Sequence, residues 1–457
     1  MKTSIIILTK NNIEYTKLCI YSIYKYTKSW QYEIIIVDNN SDDGTKDWLK
    51  SQKGLIVVYN QTNEGFPRGC NQGIRIASGE NILLLNNDVI VTEHWLDNLL
   101  AALYSSDDIG AVGPVSNSVS YYQSIPVSYK TIEEMQIFAS AYNAQPLSTD
   151  FRVRLIGFCM LIRRKIIDNI GFLDERFSPG NFEDDDYSMR ILSAGYQLLL
   201  SKNTFVHHFG SSSFKKDEFL FNELLETNRL KFIDKWGFDS HDSTKIHFEL
   251  IDLIKSNQEQ IIHVLDLNCG CGATLLEIKT RFPKAQIYGI SSSNAVDSIA
   301  QKFVNIYSGC IEDINEGEST VYFDYIIAAD VFSYVLDLND LLKKLSRKLK
   351  KHGSILLSAP NISHYFVIKN LLHGRWPYSN ANIYGKQIRF FTAYDLQNLL
   401  ESVGFSISSF QGTKLQLTQE DEFLLYQLQN LGQAGVSEQI SVYQFQIKAE
   451  LTNKDQG

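Results

Sequence analysis

Three clusters of polar residues follow apolar runs in the first hundred residues: Thr9 with Asn11 and Asn12, then Asp38-Asn39-Asn40-Ser41, then Asn86-Asn87-Asp88. Such amides and carboxylates either bond their own backbone in a turn or face a ligand. If the apolar runs are parallel strands of one sheet, their carboxyl ends converge on a single crevice, where ligands bind. Between the second and third clusters lies NEGFPRGCNQGIRIASGE, in which Gly65, Gly69 and Gly73 permit close backbone approach and Arg68 offers a cation to a phosphate. Its spacing is not that of a P-loop. Farther on, Glu183-Asp184-Asp185-Asp186 sets four carboxylates in a row. They suit an acidic first helical turn, where the macrodipole favours them, and they are also a source of proton acceptors. Asp186 and Arg190, four apart, read as a stabilising helical pair. FVHHFGSSSF supplies His207 and His208, and VLDLNCGCGATLLEI sets Gly270 and Gly272 between a strand and a helix. That glycine spacing suits close approach to the nucleoside end of a cofactor.

The elements that must position these residues alternate regularly. SIIILT, EIIIVD, LIVVYN and NILLLN read as strands separated by helical stretches, which predicts a parallel sheet wrapped by helices. A helical stretch, KKDEFLFNELLETNRLKFIDKW, is followed by polar GFDSHDSTK, and then IIHVLDLNCGCG, AQIYGIS, FDYIIAADVF and GSILLSAPN begin a second series. The expectation is two tandem α/β domains, residues 1–240 and 255–457, with no internal repeat. LLKKLSRKLKKHG reads as the solvated face of a helix ending at Gly353, SVYQFQIKAEL as a closing edge strand, and the polar end of the chain as disordered.

Composition narrows the function classes. The chain has 457 residues, 44% of them hydrophobic and 21% charged, as in a folded soluble protein of two or three domains. A net charge of −9 argues against general nucleic-acid binding. Six cysteines without C-x-x-C spacing indicate neither a zinc site nor a disulfide framework. No apolar run is long enough for a transmembrane helix and the N-terminus lacks a leader pattern, so a cytoplasmic location is expected, with peripheral membrane contact left open.

In order and spacing, LTKNN, IIIVDNNSDDGT, NEGFPRGCNQGI, LLLNNDV, GFLDERF and FEDDDYSMR closely resemble the inverting nucleotide-sugar glycosyltransferases of GT-A type, the family-two group. The resemblance implies a GT-A fold over the first domain, a nucleoside-diphosphate-sugar donor, a divalent metal (Mn or Mg) and a glycan or glycolipid acceptor. It implies that Asp38 holds the nucleobase and that Thr9 lies along the same pocket. Asn11, Asn63, Arg68, Asn71 and Asn87 are implied on the donor side, and Asp88 and His208 as metal ligands. Asn86 stands where the family's acidic motif commonly begins with Asp; His208 fits a family histidine through Gly210 and Ser213. Asp184 is implied as the base, with Glu183 the alternative, and Gly157 as the small residue of the acceptor-side strand. The chemistry accounts for these types. A departing diphosphate needs a cation held by oxygen ligands, and an acceptor hydroxyl needs a base within about 3 Å. A single displacement then inverts the anomeric centre.

The second series resembles class I S-adenosylmethionine-dependent methyltransferases, which implies a Rossmann-like fold with Asp266, Gly270, Gly272 and the position of Ser291 around S-adenosylmethionine. The departures are plain: Asn268 replaces the first loop glycine, Ser291 stands where an acid bonds the ribose, Ser333-Tyr334 replaces a Glu-His pair, and Gln387 replaces a histidine. The sequence thus predicts a glycosyltransferase joined to a methyltransferase-like domain. Two alternatives stay open: methyl transfer to a glycan as the principal activity beside a sugar-binding first domain, or a degenerate second domain acting as a binding module.

Overall fold

The computed structural model describes residues 1–210, 218–291, 293–307, 321–376, 387–429 and 439–452. The chain divides into two compact units, Met1–Thr244 and Lys245–Gly457. Ser213 and the last five residues, 453–457, lie outside the described residues.

The main sheet of the first unit contains β1 (Thr3–Thr9), β2 (Tyr32–Asp38), β3 (Leu55–Tyr59) and β4 (Asn81–Asn86). A short strand β5 (Val89–Ile90) follows, and then β6 (Ile109–Val115), β7 (Thr149–Arg152), β8 (Cys159–Arg163), β9 (Gln197–Phe205) and the short β10 (His207–His208). The main sheet runs β3-β2-β1-β4-β8-β6-β9-β7, and β5 pairs with β10 in a separate two-stranded ribbon. The runs Ile5–Ile7, Ile34–Val37 and Ile82–Leu85 are buried on both faces, which is why they lack polar alternation and lie side by side at the parallel centre. From β1 the chain steps outward through β2 and β3, and then returns to the far side of β1 as β4. That reversal is a topological switch point, and it opens a crevice at the carboxyl ends of β1 and β4.

The helix Phe66–Ile76 makes the return. A Cβ at Gly69 would stand 2.3 Å from Leu8 Cδ1, and one at Gly73 would stand 2.6 Å from Ile6 Cγ2. The close approach these glycines permit is therefore between helix and strand.

The second unit orders its strands as β11 (His263–Asp266), β12 (Gln286–Ile290), β13 (Asn305–Tyr307), β14 (Phe323–Ala329), β15 (Leu349–Pro360), β16 (Phe405–Lys414) and β17 (Val442–Leu451). The sheet runs β13-β12-β11-β14-β15-β17-β16, parallel through β15. SVYQFQIKAEL is not an edge strand: β17 lies antiparallel between β15 and β16, and β16 takes the edge. The basic run also differs from expectation. Its helix spans Leu338–Lys348 and stops well before Gly353, because Leu349 is buried and pairs with Phe323 to begin β15. Within that helix Leu341, Leu342 and Leu345 face the core, while Lys343 and Arg347 are exposed.

Candidate functional site

The parallel register sets the strand-end clusters side by side, with Thr9 opposite Asp38 and Leu8 opposite Asn86. Asp38 is fully buried, and its two carboxylate oxygens accept from the Ser41 backbone N–H at 3.3 and 3.2 Å. Asn11 adopts a left-handed φ of 58°, which amide side chains tolerate, and its Oδ1 accepts from Asp42 N at 2.8 Å. The Asn87 amide donates to Thr9 Oγ1 at 3.2 Å and to Thr16 Oγ1 at 3.0 Å. The Asn63 Oδ1 receives Asn39 Nδ2 at 3.2 Å and Gly65 N at 3.1 Å. Five of the expected donor residues, Thr9, Asn11, Asp38, Asn63 and Asn87, are thus knit into one network of the β1, β2 and β4 ends, through partners Thr16, Asn39 and Ser41.

Two expected donor residues are placed differently. Asn71 is buried, and its amide group spans to the neighbouring loop: Nδ2 donates to Leu173 O at 2.9 Å and to Glu175 Oε1 at 3.0 Å, while Oδ1 accepts from Leu173 N at 3.0 Å. Its geometry is that of a brace. Arg68 is exposed and pairs through Nη1 with Glu64 at 2.8 Å, so part of its guanidinium charge is already engaged by a carboxylate.

Asp88 and His208 meet through the ribbon of β5 and β10, in which His208 is opposite Val89. Asn117 fixes the histidine backbone by accepting from His208 N at 2.9 Å and donating to its carbonyl at 3.1 Å. The ring Nδ1 donates to Ser118 O at 2.7 Å, which aims Nε2 at Asp88 Oδ1, 3.1 Å away. Burial opposes the charged imidazolium, but the Asp88 carboxylate and the Ser118 carbonyl outweigh it and hold the pKa above the usual histidine value. A carboxylate oxygen and an imidazole lone pair this close require a proton or a cation between them. Two ligand atoms at right angles on a small divalent ion, about 2.1 Å from it, stand about 3.0 Å apart. The pair therefore fits such an ion. Among the described residues no group of three or more His, Cys, Asp and Glu gathers into a metal cluster.

The acidic run starts the helix Glu183–Ser193, and tertiary contacts divide its four carboxylates. Asp185 pairs with Arg154 at 2.6 Å and accepts from Ser240 Oγ at 2.7 Å. Asp186 accepts from Arg190 at 3.0 Å, the pair its spacing predicted, and from Trp236 Nε1 at 2.9 Å. Asp184 instead receives backbone donors: Gly157 N reaches Oδ2 at 2.8 Å, and Asp185 N reaches Oδ1 at 2.9 Å. Burial, reinforced by the Asp185 charge, pushes Asp184 up to about 6. Burial and the Asp184 charge raise Glu183 further, well above the carboxylate range, and its Oε2 has no hydrogen-bond partner among the described residues. Both causes favour the neutral form of Glu183.

One short segment links the two halves of this site. Gly157 N–H holds Asp184, the next carbonyl, of Phe158, accepts from Asn86 N at 2.8 Å, and the Phe158 ring lies 5.1 Å from the His208 ring. A Cβ at Gly157 would come within 3.2 Å of Asp184 Cβ, so the small residue is needed for the carboxylate to approach. Arg154, Asn117 and Ser118 carry no sequence motif and were not expected; only packing draws them to the site.

In the second unit Asp266 ends β11, buried, with Asn268 N donating to its Oδ1 at 3.1 Å. Burial pushes its carboxyl up to about 6. Gly270 and Gly272 take φ of 51° and 84°, the left-handed turn the loop requires. Cys269 N donates to Ile290 O at 2.9 Å and pins this loop to the end of β12, where Ser291 is buried. Ser333 is buried and Tyr334 exposed; the Ser333 carbonyl accepts from Ile388 N at 2.9 Å.

Fold and site together define two α/β domains in tandem, each with a polar crevice at the switch point of its parallel strands. Residues 4–171 match the model of glycosyl transferase family 2, and residues 238–409 match a methyltransferase domain model. The first unit thus matches family-two glycosyltransferases over most of its length, and the second matches a methyltransferase domain, each on an α/β sheet. The O-antigen biosynthesis protein RfbC of Myxococcus xanthus is 24% identical over 234 residues, which cover 47% of this chain and 18% of that protein. Glycosyltransferase GlyG of Streptococcus pneumoniae is 26% identical over 226 residues, covering 47% of this chain and 73% of that protein. The malonyl-[acyl-carrier protein] O-methyltransferase of Priestia megaterium is 32% identical over 113 residues, covering 24% of this chain and 41% of that protein. The chain therefore spans under a fifth of the first of these relatives and under half of the third. Among the described residues no helix is long and apolar enough to cross a membrane.

Proposed function

We propose that the first unit is an inverting, cation-assisted glycosyltransferase that moves a sugar from a nucleoside diphosphate to a hydroxyl of a glycan or glycolipid. The observation that carries this reading is the Gly157–Phe158 link, which sets a half-buried carboxylate beside an aspartate–histidine pair suited to a cation. Asp38 and the Thr9–Asn87 network receive the nucleoside. Asp88 and His208 would hold a divalent ion, manganese or magnesium, which when bound would offset the charge of the departing diphosphate. Asp184 takes the proton of the acceptor hydroxyl as that oxygen bonds to the anomeric carbon and the bond to the diphosphate breaks. Its carboxyl near 6 is ionised at neutral pH yet basic enough for the task. Glu183, whose neutral form burial favours more strongly, is the poorer base. One displacement inverts the anomeric centre.

In the second unit, the buried Asp266 beside the left-handed glycine turn supports binding of S-adenosylmethionine, a donor of a methyl group to an acceptor nucleophile. As working domains we take residues 1–240 and 255–457. The test is release of nucleoside diphosphate from a panel of nucleotide sugars, with manganese or magnesium and then with chelator. Release from one donor that chelator abolishes supports the reading. No release with any donor and a range of glycan acceptors overturns it.

A further inference from the structure

Ser291 directly follows β12, where open α/β crevices of this kind use a carboxylate to receive ribose hydroxyls. A lone hydroxyl offers no charged acceptor, so by spacing alone the nucleoside site is missing its anchor. The folded chain brings one back from farther along. Asp297 lies on the helix Asn294–Ala300, and Ser291 Oγ donates to its Oδ1. That bond turns the Asp297 carboxylate toward the end of β12 and leaves Oδ2 for a ligand.

Two further contacts put the carboxylate beside the glycine turn. Asp266 pairs with Gly289 across β11 and β12, and Cys269 N donates to Ile290 O at 2.9 Å. The ends of both strands and the turn between Asp266 and Gly272 are thereby fixed to one another. The charges of Asp266 and Asp297 both reach the Cys269 thiol, which burial already raises above its usual pKa. Asp266 and Asp297 flank the same turn.

We propose that Asp297, positioned by Ser291, receives the vicinal ribose hydroxyls of an S-adenosyl ligand, in place of the strand-end acid this chain lacks. The inference rests on the S-adenosyl reading of the second unit. In a purely local role, the Ser291–Asp297 bond would only fasten the start of a helix.

Calorimetric titration of the full chain with S-adenosylhomocysteine and with its 2′-deoxyribosyl counterpart separates the two roles. For Asp297→Asn the expected loss of affinity is roughly ten- to hundredfold, the range for a hydrogen bond to a charged group. Removing the 2′-hydroxyl should weaken the wild type by a similar factor and the variant hardly at all. Adding Ser291→Asp to Asp297→Asn should restore most of the affinity, because it returns a carboxylate to the strand end. Melting curves of the unliganded variants report whether the fold is intact, and the restored variant keeps the test decisive if Asp297→Asn alone loses stability. Equal affinity of Asp297→Asn and the wild type, or equal sensitivity of both to the 2′-hydroxyl, overturns the proposal. If the wild type binds neither ligand, the S-adenosyl reading fails as well, and the two failures are told apart.

Discussion

In the first unit the strand ends carry polar side chains that already bond one another, and the proposed base, Asp184, comes from a helix outside the sheet. In the second unit, the rim formed by β11 and β12 carries Asp266, a glycine turn and the Ser291–Asp297 pair. Both sheets reverse their strand order, so both make a crevice, but the chemistry each crevice supports depends on what is brought to it. The Asp88–His208 pair and Asp184 are tied together through Gly157 and Phe158, so the proposed cation pair and the proposed base stand in a fixed relation in the fold itself. The rim of the second unit carries carboxylates suited to hydroxyl donors, and no comparable link to a histidine is seen there among the described residues. Preorganised electrostatics distinguish the first crevice from the second.

The sharpest way to break that comparison is to alter the two neighbouring acids separately. Asp184→Asn should lower sugar transfer by roughly a thousandfold, within the range of general-base contributions, while Glu183→Gln, which copies a neutral acid, should stay within a few fold of the wild type. Measured turnover would refute the assignment if the two effects were reversed. Asp184→Asn should also raise the melting temperature at pH 7. Its carboxyl is raised in the fold, so the stability it contributes is complete below the ordinary carboxylate pKa and is lost as pH rises through about 6.

Next in size is the cation pair. Asp88→Ala, or chelator on the wild type, should reduce nucleoside-diphosphate release about a hundredfold, and S-adenosylhomocysteine binding, followed by calorimetry, should not change. If chelator weakened that binding as well, the proposed division of labour between the units would be wrong.

A smaller effect concerns pH. The base must be ionised, so turnover should rise with pH through about 6 and level off above it. Arg154 pairs with Asp185 and its positive charge lowers the Asp184 pKa, so Arg154→Met should move this limb upward by about one unit. A profile that keeps its limb in place would show that Asp184 does not control the step.

The smallest expected change is structural. Gly69→Ala forces a methyl group against Leu8 Cδ1 and should destabilise the first unit by about 1–3 kcal/mol, read as a lower melting temperature with methyl-donor binding intact. Unchanged melting would mean that the helix and β1 can separate without cost.

Much of this was legible in the sequence. Unbroken apolar runs such as Ile82–Leu85 can lie only in a doubly covered sheet, and their order made tandem α/β domains the natural reading. Clusters at Thr9, Asp38 and Asn86–Asp88 marked the crevice because a strand end is a local feature. Other readings failed where the cause was distant. The basic helix stopped at Lys348 because Leu349 had a buried strand partner in Phe323. SVYQFQIKAEL was legible as a strand but not as an inner one, since pairing order is not written in the pattern of a single strand.

By itself, then, the sequence determined the strands, the switch-point architecture and the places where polar groups gather, because periodicity and turn chemistry act between residues near in the chain. Only the tertiary structure decided which two of four consecutive carboxylates enter ion pairs, which histidine nitrogen faces Asp88, and which aspartate stands beside Ser291. Ionisation and coordination depend on distance through space and on the water that burial removes, and neither quantity follows from position along the chain.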